Sequence, residues 1–338
     1  MPASLPVSAL SFPLPESDAV NRSPTPADAP LLVVLGSLNM DVVVRVPQAP
    51  AAGETLHGRS IDHLPGGKGG NQAVGCARQG GAVRMLGCVG ADAHGTALRD
   101  ALALDGIDTD GVRVEPATPT GVALVMVEDS GQNRIVVIPG ANAAVQVEPA
   151  VLRAQLADAA FLILQFETPL DQVGLAMEVA AQAGCKVLLN PSPMQALPEA
   201  FWPRIDTLVV NELEAQMLSG LPVTGIAEAA AAARALLSRG PVRVVVTLGS
   251  EGAVAADADG CRHHPALRVK AVDTTAAGDT FLGALAVSLA RGEPFDAAVQ
   301  LGIRAAALCI GRHGAQPSIP SRDEVLASPV PPPPVALP

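Results

Sequence analysis

Leu31-Leu32-Val33-Val34-Leu35-Gly36 is an unbroken run of five apolar residues closed by a glycine, and its reading decides the fold. A strand with one face in water alternates polar and apolar residues, whereas a strand covered on both faces need not, so this run predicts a strand buried on both sides. The same pattern returns at 161–164, 187–189, 208–210 and 242–246. Residues 70–78, 96–104, 170–183, 212–218 and 227–237 read as helices that separate these strands. Strands alternating with helices predict an α/β fold, a doubly wound and mostly parallel sheet flanked by helices. In such a sheet, ligands lie at the carboxyl ends of the strands.

Two segments break the rhythm. Residues 41–46 with 55–61, and 120–127 joined through Asp129-Ser130-Gly131-Gln132-Asn133 to 134–138, alternate or run β-branched and predict antiparallel hairpins. They form either a small separate sheet, of the kind that covers a site as a lid, or edge strands of the main sheet, and periodicity fits both.

At 338 residues, 49% of them hydrophobic, the chain has ample material for a buried core. A net charge of −11 without a Lys/Arg run argues against nucleic acid and anionic membrane partners. Charge, Gly or Pro interrupts every apolar stretch before the roughly 20 residues of a membrane span. Cys76, Cys88, Cys185, Cys261 and Cys309 are odd in number and far apart, which suits a reducing cytoplasm and neither a disulfide framework nor a zinc site. The six histidines lack metal-ligand spacing, and His263-His264 reads as part of a hydrophilic turn. Residues 1–29, rich in Pro, Ser and Ala, read as a disordered extension, and residues 326–338 as a disordered proline-rich tail, at most an extended polyproline segment. The folded domain is expected over 30–325.

Chemistry is concentrated in Val272-Asp273-Thr274-Thr275-Ala276-Ala277-Gly278-Asp279-Thr280-Phe281. Small residues end a polar loop, and one carboxylate opens an apolar helix at its first or second position. Unpaired N–H groups at such a helix start attract anions, and a carboxylate beside them can take a proton from an alcohol. Helix capping explains one acid there; it does not explain three small residues and a second acid at Asp273. Pro65-Gly66-Gly67-Lys68-Gly69-Gly70-Asn71-Gln72-Ala73 offers close backbone approach, one cation and an amide at a helix start. It is not a phosphate-binding loop of the Walker type, because Asp62 and Gly69 stand where that motif needs Gly and Ser or Thr. Asn39 and Asp41 after the first strand, Glu167 before Thr168-Pro169, Asn211-Glu212-Leu213-Glu214, and Thr247-Leu248-Gly249-Ser250-Glu251-Gly252 all follow buried strands. Turn residues and helix caps are the simple alternative for each of these, and for Asn39 and Asp41 the favoured one.

Together these segments resemble the PfkB carbohydrate kinase family over about residues 31–325. The glycine signature is similar to Gly66–Ala73 and the C-terminal signature to Asp273–Phe281, with further likeness at Gly36–Asp41, Thr120-Gly121-Val122-Ala123, Asn190-Pro191-Ser192-Pro193 and Gly314-Ala315-Gln316-Pro317-Ser318. The resemblance implies an ATP-dependent kinase for the 5-hydroxyl of D-ribose, with Asp279 as base and Ala276, Ala277 and Gly278 as the anion hole. It implies that Asn39, Asp41, Gly66, Gly67, Lys68, Asn71, Glu167 and Asp279 hold the sugar. Asn211, Thr247, Gly249, Ser250, Gly252 and Gly278 would line the ATP site, and Glu214 would act on Mg2+ indirectly. A monovalent cation, K+, would sit by Asp273, Thr275, Cys309, Arg312, Gly314 and Ser318. Residues of about 41–64 and 119–138 would form a lid that packs against a second copy in a homodimer. Ile303 departs from the polar residue often found near the adenine, which bears on nucleotide preference. Kinases for deoxyribose, fructose or adenosine are the nearest alternatives. A sugar-binding protein without catalysis would have lost Asp279 or Gly278, and a nicotinamide-dependent oxidoreductase would carry the dinucleotide glycine fingerprint.

Overall fold

The computed structural model describes residues 28–130 and 132–338, and Leu31–Leu35 form the strand that their sequence predicts. In chain order the elements are β1 (Leu31–Leu35), β2 (Asn39–Val46), β3 (Ser60–Gly66), α1 (Lys68–Arg78), β4 (Ala82–Gly90), α2 (Ala93–Leu104), β5 (Val112–Glu115), β6 (Gly121–Glu128), β7 (Asn133–Ile138), α3 (Pro149–Gln155), β8 (Ala159–Leu164) and α4 (Leu170–Ala183). There follow β9 (Lys186–Leu189), β10 (Thr207–Asn211), α5 (Glu212–Ser219), α6 (Ile226–Leu237), β11 (Arg243–Thr247), β12 (Ala253–Asp257), β13 (Gly260–His264), α7 (Ala277–Ala290), α8 (Phe295–Cys309), α9 (Arg322–Ala327) and β14 (Val335–Leu337).

The large sheet has the order β14-β13-β12-β11-β10-β9-β8-β1-β4-β5. From β11 to β5 every pairing is parallel, and β12, β13 and β14 close the other edge antiparallel. The unbroken apolar run of β1 has its explanation in the two layers that cover it. Val33 and Leu35 belong to a core with Leu162, Met177 and Leu236, while Leu32 and Val34 belong to another with Val74, Phe281, Leu285 and Val299. Each face of the strand therefore buries its own set of side chains, which is the environment that removes polar alternation.

The small sheet is separate, in the order β3-β2-β6-β7. Its two hairpins join through the parallel pair β2–β6. The second strand of the first hairpin is not 55–61 but β3, whose Gly66 lies opposite Asn39 and whose Leu64 lies opposite Asp41. Gly66 leaves room for the Asp41 side chain: a Cβ there would fall 2.3 Å from a carboxylate oxygen and push it aside.

Three further expectations are corrected. His263 and His264 end β13 instead of lying in a turn, because the chain reverses earlier, between Asp257 and Gly260. β4, absent from the predicted strands, pairs directly with β1. The tail is not disordered from residue 326: α9 runs to Ala327, and Val335–Leu337 pair with β13 while Arg234 donates to the carbonyls of Leu337 and Pro338. The prolines at 331–334 precede this pairing, as they must, since proline has no N–H to give to a ladder. The expected extension of residues 1–29 lies outside the described residues except for its last two.

Candidate functional site

Two helix N-termini from distant parts of the chain meet at the carboxyl ends of the central strands. Glycines bring them together. A Cβ at Gly283 of α7 would lie 2.6 Å from the carbonyl carbon of Gly75 in α1, and a Cβ at Gly75 would lie 3.3 Å from the carbonyl oxygen of Asp279. Helices that touch backbone to backbone leave the residues one turn earlier within reach of each other.

Asp279 is the third residue of α7, one place deeper than its sequence suggests, and it is 8% exposed. Its Oδ2 accepts from Asn71 Nδ2 at 3.0 Å and its Oδ1 from Gln72 Nε2 at 2.9 Å. Ala276, the residue before the helix, has φ 60° and ψ 10°, a left-handed conformation unusual for a residue with a Cβ. The Ala277 N–H goes to Thr274 O at 3.3 Å, and Thr280 N–H closes the first turn on Ala276 O at 2.8 Å. The N–H groups of Gly278 and Asp279 have no intrahelical acceptor. A Cβ added to Gly278 would meet open space. The result is a concave helix end with free donors next to a fixed carboxylate.

Around it stand the residues of the sugar prediction. Glu167, weighed as a cap of the following helix, instead accepts from the Lys68 N–H at 3.1 Å and from Ser37 Oγ. It thus caps α1 from the end of β8. Asn39 is buried, and its Oδ1 accepts from Asn142 Nδ2 at 2.7 Å; Asn142 also bonds the N–H and carbonyl of Leu38. Burial, then Glu167 and Asp279, push the Asp41 carboxyl up to about 7. Burial pulls the Lys68 ammonium down, but Asp279, Glu167 and Glu214 outweigh it and hold Lys68 above its ordinary value. Gly67, at φ 84°, is the turn into α1.

Toward β10 and β11, Asn211 and Thr247 are partners across the two strands. Asn211 caps α5, accepting from Glu214 N at 2.8 Å while Glu214 Oε2 accepts from Asn211 N at 3.0 Å. The capping role foreseen for this pair is therefore real. Glu214 nevertheless acts on Lys68, so its charge bears on the site. Gly249 (φ 51°) and Gly252 (φ 96°) bend the chain around Ser250, and a Cβ on Gly252 would strike His264 O at 2.0 Å.

A third cluster lies behind the α7 loop. Asp273 Oδ1 accepts from Thr275 N at 2.9 Å and Thr275 Oγ1 at 2.6 Å, and its Oδ2 from Gly314 N at 3.0 Å. Burial raises the Asp273 carboxyl, but these donors more than reverse that and leave it below its ordinary value. Cys309 Sγ lies 3.6 Å from Thr275 O and 3.0 Å from Ser318 Oγ. Asp273, Thr275, Cys309, Gly314 and Ser318 are thus brought together, while the Arg312 side chain turns away to Glu324.

Sequence reasoning assigned no role to Ser37, Gln72, Asn142, Gln165 or Asn190. Neutral amides give no charge or spacing signal; Gln72 was visible only as a member of the glycine signature. No helix of the described residues is long and apolar enough to cross a membrane.

The sequence profile of the pfkB family carbohydrate kinases matches residues 29–322. A ribokinase of Haemophilus influenzae is 40% identical over 298 residues, covering 87% of this chain and 97% of its own, and one of Schizosaccharomyces pombe is 41% identical over 308 residues, covering 87% and 96%. Arabidopsis thaliana ribokinase, solved in complex with ribose and ATP, superposes with a TM-score of 0.81 at 34% identity over 88% of this chain and 98% of its own.

Proposed function

The chain belongs to the pfkB family of carbohydrate kinases, and from that premise we propose that it transfers the γ-phosphoryl group of ATP to the 5-hydroxyl of D-ribose, yielding D-ribose 5-phosphate and ADP. The observation that carries this reading is Asp279, a carboxylate held by two amides beside the free N–H groups of a helix end. The hydroxyl oxygen attacks the γ-phosphorus, the bond to the ADP oxygen breaks, and Asp279 takes the hydroxyl proton as the P–O bond forms. Ala276, Ala277 and Gly278 shape the anion hole, and the open space at Gly278 suits the transferring group.

Asn39, Asp41, Lys68, Asn71 and Glu167 hold the sugar, with Gly66 and Gly67 allowing the backbone close to it. The Asn71 Oδ1 is buried without a protein partner, which suits a sugar hydroxyl as donor. A nucleoside acceptor would call for aromatic stacking, yet the chain has no tyrosine and Trp202 is buried in the core. Asn211, Thr247, Gly249, Ser250 and Gly252 line the nucleotide side. Mg2+ bound with ATP would supply positive charge to the phosphates, and Glu214, whose carboxylate bears on Lys68, would act on it indirectly. The oxygen-rich cluster of Asp273, Thr275, Gly314 and Ser318 fits a weakly hydrated monovalent cation such as K+, with Cys309 and Arg312 contributing through the backbone; bound there, the cation would favour the loop that carries Ala276. The small sheet acts as a lid. Ile135, Val136 and Val137 of β7 are exposed and suit a lid-to-lid homodimer, an assignment that a solution mass of one chain would remove. Buried free cysteines suit a reducing cytoplasm.

The test is ADP release by purified protein with ribose, deoxyribose, fructose and adenosine. Turnover should be highest with ribose and should fall by about 10³-fold or more in Asp279→Asn, with ribose binding retained. Turnover with another acceptor but none with ribose would refute the substrate, and an active Asp279→Asn would refute the base.

A further inference from the structure

Behind Asp279 runs a chain of buried amides. Gln72 Nε2 donates to Asp279 Oδ1 at 2.9 Å and lies 3.3 Å from Asn190 Oδ1, while Gln72 Oε1 accepts from Gln165 Nε2 at 2.5 Å. Gln72 and Gln165 are 0% and 1% exposed. Both N–H donors of the Gln72 amide and one lone pair of its oxygen are therefore used, and only one orientation satisfies these three bonds. Turned over, its oxygen would face the Asp279 carboxylate and Asn190 Oδ1, and its nitrogen would face Gln165 Nε2. Asn190 is itself anchored, donating to Val209 O at 3.0 Å.

The chain has a direction. A carboxylate only accepts, so Gln72 presents its nitrogen to Asp279 and its oxygen backward, and Gln165 must present its nitrogen to that oxygen. Gln165 Oε1 is left buried without a protein partner. An unpaired buried acceptor costs about 1–3 kcal/mol, so the polarity imposed by Asp279 outweighs the local satisfaction of Gln165. Gly36 leaves room for this side chain, since a Cβ there would lie 2.0 Å from Gln165 Oε1.

We propose that Gln72 is a positioning residue for the phosphoryl-transfer step, and that Gln165, at the end of β8, fixes its orientation so that the Asp279 carboxylate is aimed before the sugar arrives. This rests on the reading of Asp279 as the base. The role differs from sugar binding, because Gln72 spends its hydrogen bonds on Asp279, Asn190 and Gln165. Losing it disorders the base without emptying the sugar site.

Steady-state kinetics with ribose test it. Gln72→Leu should lower kcat by about 10- to 100-fold, as expected for loss of an orienting contact, with KM for ribose changed by less than about 3-fold. Gln165→Glu keeps shape but offers an acceptor to Gln72 Oε1, turning that amide over, and should lose about as much kcat as Gln72→Leu. Gln165→Met withdraws the donor without reversing the polarity and should lose less. Combining Gln72→Leu with Gln165→Glu should cost no more than Gln72→Leu alone, since both act through one amide. A Gln72→Leu enzyme with kcat within about 2-fold of the parent overturns the proposal, as do losses that multiply in the double variant or that fall on KM. If Gln72→Leu does not fold, the near-isosteric pair Gln165→Glu and Gln165→Met decides alone, and equal kcat in both refutes the chain. Asp279→Asn separates the two readings: inactive beside an active Gln72→Leu, it leaves the base standing and removes only the positioning role.

Discussion

Gly283→Ala adds one methyl at the point where α1 and α7 touch, and the outcome follows from two opposed terms. A central helix position gains about 1 kcal/mol when glycine becomes alanine. The new Cβ, however, would sit 2.6 Å from Gly75 C and 2.8 Å from Cys76 N, both backbone atoms that no rotamer can move aside. Reaching ordinary contact at 3.4 Å means parting the helices by about 0.8 Å, and overpacking of this kind costs about 1–3 kcal/mol. One turn away, the bonds from Asn71 and Gln72 to Asp279 at 3.0 and 2.9 Å would stretch to about 3.7–3.8 Å, past hydrogen-bonding range. Losing two bonds to a charged group, at about 1.5–3 kcal/mol each, brings the expected net destabilisation to roughly 3–8 kcal/mol after the propensity gain is subtracted. A misplaced base should reduce kcat by about 10²-fold. Chemical denaturation gives the first number and the ribose-dependent ADP assay the second. A variant about 1 kcal/mol more stable than the parent with unchanged kcat would show that helix propensity alone acts there, and the argument for a tight crossing would fail.

Asp41 predicts a pH effect of definite sign. Its folded value of about 7 lies above the ordinary 3.8, so the folded chain holds this proton more tightly than the unfolded one. Its contribution to stability is full below about pH 4 and is lost as pH rises to about 7, at most about 4 kcal/mol in all. Denaturation at pH 5 and pH 8 should therefore show a larger loss for the parent than for Asp41→Asn, and equal losses would contradict the assignment. Asp273→Ala should abolish stimulation of turnover by KCl over a choline salt while leaving some basal turnover; undiminished stimulation would place the cation elsewhere.

Much of this architecture was readable because burial on both faces leaves a direct mark on composition. Leu31–Leu35 and Leu170–Ala183 have the bounds their patterns predict. β4 was hidden by Arg84, Gly87 and Gly90, which break its apolar run although it sits beside β1. β3 was displaced because Asp62, His63 and Pro65 give it no clear strand pattern, and its pairing with β2 joins residues distant in sequence. β14 was masked by the prolines before it. In the site, acids and glycines announced themselves, since charge at a strand end and backbone freedom are local properties. Gln72, Gln165 and Asn142 acquire meaning only from partners about 90 to 210 positions away.

The hydrogen bond from Lys68 N–H to Glu167 ties recognition to architecture. A single carboxylate ends the helix that carries Asn71 and Gln72 and also faces the proposed sugar pocket. Substitution at Glu167 would therefore loosen the scaffold under Asp279 as well as alter the proposed pocket, and a change toward another sugar has little freedom there. Divergence of acceptor preference on this framework should instead gather at positions such as Asp41, whose side chain holds no helix in place.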